Sequence, residues 1–286
     1  MSARDAQGGV VLVNVLVVLA IAGGLMLLLV SSQEAAFDRV ARAADATTVE
    51  QIALGAEASV VDALRRDLDD APETDHLAEP WAQGVIQDEV SLPTGRFSVQ
   101  ITDLQAKFDI NQMAEPSAGM QDFLRRLLLA LDQPPETANQ ISRIMGVVGR
   151  VARLDDLVAF GVPPETLAAM APHVAALPIA ATVNLNTVDP LLLRVMLQNR
   201  SHAAQLISTR ESRGFLTLDD LRSVGTQRPQ NSGFTSNAYR VDILAEAGTA
   251  AIEMQTIVTR RNARGVQAVD ILERQFIYDT PIPPSN

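Results

Sequence analysis

The chain has 286 residues, 47% of them hydrophobic and 20% charged, which suits one large folded domain or two ordinary ones and excludes a disordered tail or a fibrous repeat. Its 23 Lys and Arg stand against 34 Asp and Glu, a formal charge of −11, so the averaged field repels nucleic acid and acidic membrane surfaces. Without Cys there is no disulfide, thiolate nucleophile or Cys-ligated zinc, and the three His (His76, His173, His202) lie far apart in sequence, so composition argues against an enzyme.

Residues 8–30 read GGVVLVNVLVVLAIAGGLMLLLV, an apolar run interrupted only by Asn14. A bilayer core of about 30 Å takes roughly 20 apolar residues as a helix, and this run suffices. A secretory signal peptide would have a shorter apolar core with a small-residue cleavage site behind it, whereas here the following residues continue as helix. The reading is one membrane helix with a short cytoplasmic N-terminus, resting on Arg4 and the terminal amine against Asp5, and with everything after Ser31 outside. Beyond the membrane, Phe37, Ala41, Ala44, Thr48, Ile52, Ala56, Val60, Leu64 and Leu68 recur at steps of three or four, one stripe of an amphipathic helix, and no proline appears before Pro72. A single helix over residues 10–70 would be roughly 90 Å long. Two helices kinked near Ser31 and Ser32 are the alternative.

An acidic connection follows. Residues 62–89 hold nine Asp or Glu against Arg65 and Arg66, a pattern read as a solvated face, with an ion site as the alternative. Residues 96–103 alternate Phe97, Val99 and Ile101, a half-buried strand introduced by the turn signal Pro93, Thr94, Gly95. Residues 115–228 are helical: segments at 120–132, at 135–148 with proline in its first turn, at 163–177, at 189–198 opened by Asp189 and Pro190, and at 202–212. Within them Leu154, Asp155, Asp156, Leu157 recurs as Leu218, Asp219, Asp220, Leu221. Paired carboxylates serve acid–base chemistry in some sites, but these sit at starts of short helices, where the dipole favours acids, so they read as caps of paired helical hairpins. Strand patterning returns after Pro229, with Tyr239, Val241 and Ile243 alternating against Arg240, Asp242 and Leu244. Two longer strands follow, joined by a turn at Asn262, Ala263, Arg264 and Gly265. A lone strand cannot bury a face, so the strand at 96–103 and the C-terminal strands belong to one sheet, with the helical block inserted between them and the long helix covering it. The fold class is α+β: a long N-terminal helix packed on an antiparallel sheet, with a large inserted all-α unit of the helix-hairpin-helix or SAM-like kind.

The leader ending in Gly9, placed before an apolar helix that begins VVLVNVL, resembles a type IV pilin or pseudopilin. The resemblance implies cleavage by a prepilin peptidase between Gly9 and Val10, methylation of the new N-terminus, and a pilin-like head. Most of that family carry Glu at the fifth mature position. Here it is Asn14, and lack of that glutamate is a feature of the K subunit of the type II secretion system. A Trp and a glycine turn before a strand that ends in Asp103, Gln105, Lys107, Phe108, Ile110 and Asn111 resembles the same subunit. The phrase Val183, Asn184, Leu185, Asn186, Thr187, continued by Arg210, Gly214, Phe215 and residues 218–221, resembles both the inserted domain of K-type pseudopilins and the hairpins of DNA-binding competence proteins. Hairpin binders of DNA cradle phosphate in a glycine-rich turn backed by Lys or Arg. The matching turn here, Gln198, Asn199, Arg200, Ser201, has no glycine, so the phrase reads as a scaffold in which Asn184 and Asn186 cap and brace. Relatives often hold calcium in a loop that corresponds to residues 145–150, but no carboxylate stands there, so no metal ligand carries over, and Asp155 and Asp156 remain the weak alternative.

The resemblance divides the chain into a leader (1–9), a transmembrane part (10–32), a pilin-like head (33–114 and 229–286) and an inserted α-helical domain (115–228). It implies a minor pseudopilin of the bacterial inner membrane with a periplasmic head and no cofactor, partnered by the I and J minor pseudopilins, the major pseudopilin, the prepilin peptidase and secreted proteins. The alternative is a membrane-anchored helix-hairpin-helix DNA-binding protein. A bitopic hydrolase finds no nucleophile, base and orienting group to support it.

Overall fold

The computed structural model describes residues 3–70, 73–83, 89–263 and 266–277. The apolar run and the segment after it form one unbroken helix, α1 (Ala3–Asp70), 68 residues and about 100 Å long. The kink alternative fails at Ser31 and Ser32, whose hydroxyls donate back to Leu28 O and Leu29 O at 3.1 Å and leave the helical backbone intact. From Asn14 to Ala44 the side chains are exposed apart from half-buried Ala36, so Phe37, Ala41 and Ala44 do not belong to the packed stripe. The stripe starts with half-buried Thr48 and continues through Val49, Ile52, Ala53, Ala56, Val60, Leu64 and Leu68, all buried. Its lower limit is set by the sheet, whose nearest turn reaches only as far as Asp45: Gly248, at φ +54°, closes that turn, and Thr249 N donates to Asp45 Oδ2 at 2.9 Å.

The sheet runs β1 (Val90–Leu92), β2 (Gly95–Asp103), β7 (Ala238–Ala247), β8 (Ala250–Ala263) and β9 (Val266–Ile277), antiparallel throughout. Arg264 and Gly265 of the expected last turn lie outside the described residues. Period-2 alternation aims Val99, Ile101, Tyr239, Val241, Ile243, Met254 and Val258 at α1, where they form one core with its stripe. Glu57 lies on that buried face. Thr256 Oγ1 and Arg274 Nε donate to its Oε1 at 2.6 and 3.0 Å, which compensates the burial of a charge.

β2 and β7 are neighbours, with Asp103 paired to Tyr239, so the chain leaves the sheet and returns to it at one rung. Between them lie β3 (Phe108–Asp109), α2 (Ala118–Ala130), α3 (Thr137–Val148), a 3-10 segment (Leu154–Phe160), α4 (Pro164–Met170), β4 (Val174–Ala175), β5 (Val183–Asn184), α5 (Pro190–Leu197), α6 (Arg200–Arg213), α7 (Leu218–Ser223) and β6 (Ser232–Gly233). The helix expected over 163–177 stops at Met170, because Pro172 has no amide N–H to continue the helical ladder, and beyond it Val174 and Ala175 pair in parallel with Phe108 and Asp109. These elements enclose a second core that includes Phe108, Ile110 and Met113, all N-terminal to residue 115.

Leu64 is fully buried and Phe37 is 73% exposed. Leu64→Asp is expected to destabilise the head by at least about 3 kcal/mol, the loss of a buried Leu plus the burial of an unpaired acid, and Phe37→Asp by almost nothing. Urea unfolding of the micelle-bound protein, followed by fluorescence of the single, buried Trp81, measures both.

Candidate functional site

Gly9 and Val10 lie in the first turns of α1, and Asn14 follows about one turn later with an exposed side chain. An 18-residue window of this helix has mean hydropathy 2.6 and no buried residue, and α1 is the one helix among the described residues long and apolar enough to cross a membrane. The expected processing position therefore sits at one end of an apolar rod whose other end is built into the head.

That far end is held by a polar cluster that joins α1, the acidic connection, the sheet and the helical unit. Arg260 of β8 is 2% exposed. Its Nη1 donates to Asp67 Oδ2 at 2.7 Å and its Nη2 to Asp75, while Nε and Nη2 both reach Ser236 O, and the guanidinium lies 4.8 Å over the ring of Tyr239. Asp75 Oδ2 accepts from Ser236 N at 2.7 Å, and Asp75 O accepts from Asn184 Nδ2 at 2.9 Å. Asp103, at the end of β2, accepts from Ser236 Oγ at 2.6 Å, from Gln105 N at 2.8 Å and from the hydroxyl of Thr187. Trp81 packs edge-on against Tyr239 at 5.1 Å and donates from Nε1 to Glu79 Oε2 at 2.6 Å.

The acidic run is thus only partly a solvated face. Asp75 and Glu79 are buried and Asp67 half-buried, with oxygens of all three within 4.8 Å of one another, but Arg260 supplies the cation there. The sign excess has a cost. Burial pushes the Glu79 carboxyl up to about 7, against hydrogen bonds from Trp81 and His76 N that hold it down, and the charges of Asp67 and Asp75 add to the rise. Burial likewise pushes Asp103 up to about 6, opposed by Ser236, Thr187 and Gln105 N.

The phrase beginning at Asp103 staples the helical unit from inside. Gln105 Nε2 donates to Thr182 O at 2.7 Å, Lys107 Nζ to Ala171 O at 2.7 Å, and Asn111 Nδ2 to Val151 O at 3.2 Å, while Val151 N returns a bond to Asn111 Oδ1 at 2.9 Å. Asn184 and Asn186 brace as expected: Asn184 Oδ1 accepts from Asn186 N at 2.9 Å, and Asn186 Oδ1 from Leu216 N at 2.6 Å. Arg210, on α6, donates to Leu185 O and Val188 O at 2.9 and 2.7 Å.

Asp156 and Asp220 cap their short helices, accepting from Arg153 N at 2.8 Å and Thr217 N at 2.7 Å, while Asp155 and Asp219 face solvent. In the hairpin turn, Gln198 closes α5 at φ +60° and Asn199 caps α6, its Oδ1 accepting from Ser201 N at 3.0 Å and His202 N at 3.1 Å. The amides that would meet a phosphate are already bonded to Asn199. His173 Nδ1 lies 2.7 Å from Asp189 Oδ2, where it braces the cap of α5.

A long N-terminal helix, apolar in its first half and packed on an antiparallel sheet in its second, defines a pilin-like fold. Here a unit is inserted between two sheet strands that is mainly helical rather than all-α as expected, since it holds the two short parallel pairs β3–β4 and β5–β6. No family model matches the chain. The chain is similar to type II secretion system protein K of Pseudomonas aeruginosa, 25% identical in an alignment 273 positions long that covers 82% of this chain and 82% of that protein. It also shares its fold with a chain in the crystal structure of the GspK-GspI-GspJ complex from the enterotoxigenic Escherichia coli type 2 secretion system, with a TM-score of 0.61 and 18% identity over 83% of this chain and 99% of that one. The resemblance to the K-type pseudopilin is borne out.

Two outcomes test the cluster. Arg260→Met leaves Asp67 and Asp75 buried without a counter-ion and is expected to cost about 3–5 kcal/mol in urea unfolding. Glu79 and Asp103 are acids whose folded pKa lies above the unfolded value, so the fold binds their protons more tightly, and their contribution is favourable at about pH 5 and lost as pH rises through about 6 and 7. His76, held low by burial, opposes them. Glu79→Gln removes one contributor, so its stability relative to the parent is expected to improve by about 1–3 kcal/mol between pH 5 and pH 8.

Proposed function

We propose that this chain is a K-type minor pseudopilin of a type II secretion system, and that it works by interaction rather than by turnover. The observation that carries this is the match to protein K along 82% of both chains. The solved relative is named as part of a complex with GspI and GspJ, which supports the I and J minor pseudopilins as partners here. The apolar half of α1 supports an inner-membrane anchor with the head on the periplasmic side.

On this reading residues 1–9 are a leader, removed between Gly9 and Val10, and residues 10–32 span the membrane. Core membership favours an insert over residues 104–237, wider at both ends than the sequence alone suggests, with the head formed by residues 33–103 and 238–286. Asn14 has no charge with which to neutralise the N-terminal amine of a neighbouring subunit in lipid, whereas a neighbour's glutamate still neutralises the amine of Val10. That one-sidedness suits the end of a filament, and the bulk of the insert, which would obstruct a repeating stack, points the same way.

The mass of the mature protein from a secreting host is expected to match an N-terminus at Val10. An intact Met1 in the presence of active peptidase would overturn the pilin reading. Loss of the gene is expected to stop export of folded proteins, and Asn14→Glu to leave export nearly intact. Cross-links spaced regularly along the pseudopilus would contradict the terminal place.

A further inference from the structure

The helical unit carries an apolar groove that its own core does not fill. Helix α3 buries Thr137, Ala138, Ile141 and Met145, yet leaves Ile144 and Val148 half-buried and Val147 89% exposed. Facing them, Phe160 stands 48% exposed at the end of the 3-10 segment, with exposed Val158 beside it. Gln140, Arg143, Ile144, Val147, Val148 and Phe160 line a groove of about 470 Å³. Its walls are already fixed to one another, since Gln140 Nε2 donates to Gly161 O at 2.8 Å, so the shape exists before anything enters. Val147 and Phe160 thus leave apolar side chain uncovered on one face of the unit.

The sign of the occupant can be read from the lining. Arg143 is the one charged residue among the lining residues. Its Nε is turned back to Asn139 O at 3.3 Å, and no carboxylate among the described residues pairs with its guanidinium. A guanidinium without a carboxylate partner at the rim of an apolar trough favours an acid set beside an apolar face, locally and against the repulsion of the chain's −11 charge. Helices laid in grooves present that arrangement, with apolar anchors at three- and four-residue steps and charges at the margin.

We propose that the groove between α3 and the 154–160 segment docks an amphipathic helix of another protein, which lays its apolar face on Val147 and Phe160 and sets a carboxylate against Arg143. The test is independent of the secretion reading, because it reads peptide binding. It uses the full chain in phosphatidylcholine nanodiscs, corrected for empty discs, and two fluorescein-labelled peptides of about 18 residues, five helical turns. Both have a leucine face, flanked by Glu in one and by Lys in the other.

The Glu peptide is expected to bind at least about tenfold more tightly than the Lys peptide, a difference of about 1.4 kcal/mol. Arg143→Glu is expected to reverse that order. Val147→Asp, at a position too exposed to matter for folding, is expected to weaken the Glu peptide by a similar factor with an unchanged melting temperature. Equal binding of the two peptides, or indifference to either substitution, overturns the proposal. The chain has no native Cys, so Val147→Cys supplies a sole thiol. Disulfide dimers forming faster than with exposed Ser59→Cys would assign the face to a second copy of the chain and overturn it equally.

Discussion

A guanidinium buried to the extent of Arg260 has to be neutralised where it stands, and the protein answers with acids from two different segments, Asp67 at the end of α1 and Asp75 in the connection that follows. Because the arginine comes from β8, this one ion cluster fixes where the helix stops, how the connection turns and where the sheet meets both. Ser236 O accepts from the same guanidinium, and Ser236 Oγ donates to Asp103, so the two strands that flank the insert close on the same point. An apolar core tolerates small slides between its layers. A bidentate charge cluster has far narrower geometric tolerance, and it sits where head, anchor helix and helical unit converge.

The helix α1 is composed for two surroundings in succession. Its first half offers the side chains that lipid accepts, and its upper part offers a stripe of Val, Ile, Ala and Leu to the sheet. Between them, residues such as Phe37 and Val40 face outward with no part of this chain against them among the described residues. The sheet's contact with α1 begins where the β7–β8 turn meets Asp45, so the sheet length sets the length of bare helix below it.

Much of this was legible because it follows from periodicity. A 3.6-residue repeat without proline gave the long helix, and strict alternation at Val99, Ile101, Tyr239, Val241 and Ile243 gave the sheet and its buried face. The caps at Asp189, Asp156 and Asp220 were legible from position alone. Part of what escaped has one cause: long-range pairing leaves no local signal. Nothing near Asp67 or Asp75 announces that Arg260, nearly two hundred residues on, will draw them inward, so a run of acids reads as surface. The helix expected over 163–177 is different, since Pro172 within LAAMAPHVAAL is a local stop, and the parallel pair of Val174 and Ala175 with Phe108 and Asp109 takes over beyond it. The stripe was extended too far down to Phe37 because periodicity states which face a residue occupies and not how far the partner layer reaches.

The single rung at which the chain enters and leaves the insert, Asp103 beside Tyr239, also determines how the insert is held to the rod. Two strands that part at one point would act as a loose pivot if nothing else crossed there. Here Thr187 and Asn184 of the insert bond to Asp103 and Asp75, and Asp75 reaches α1 through Arg260 and Asp67. Turning the insert away from the rod therefore requires breaking the bonds to Asp103 and to Asp75 as well as bending the two chain crossings, so the pivot is latched at the same point where it is hinged.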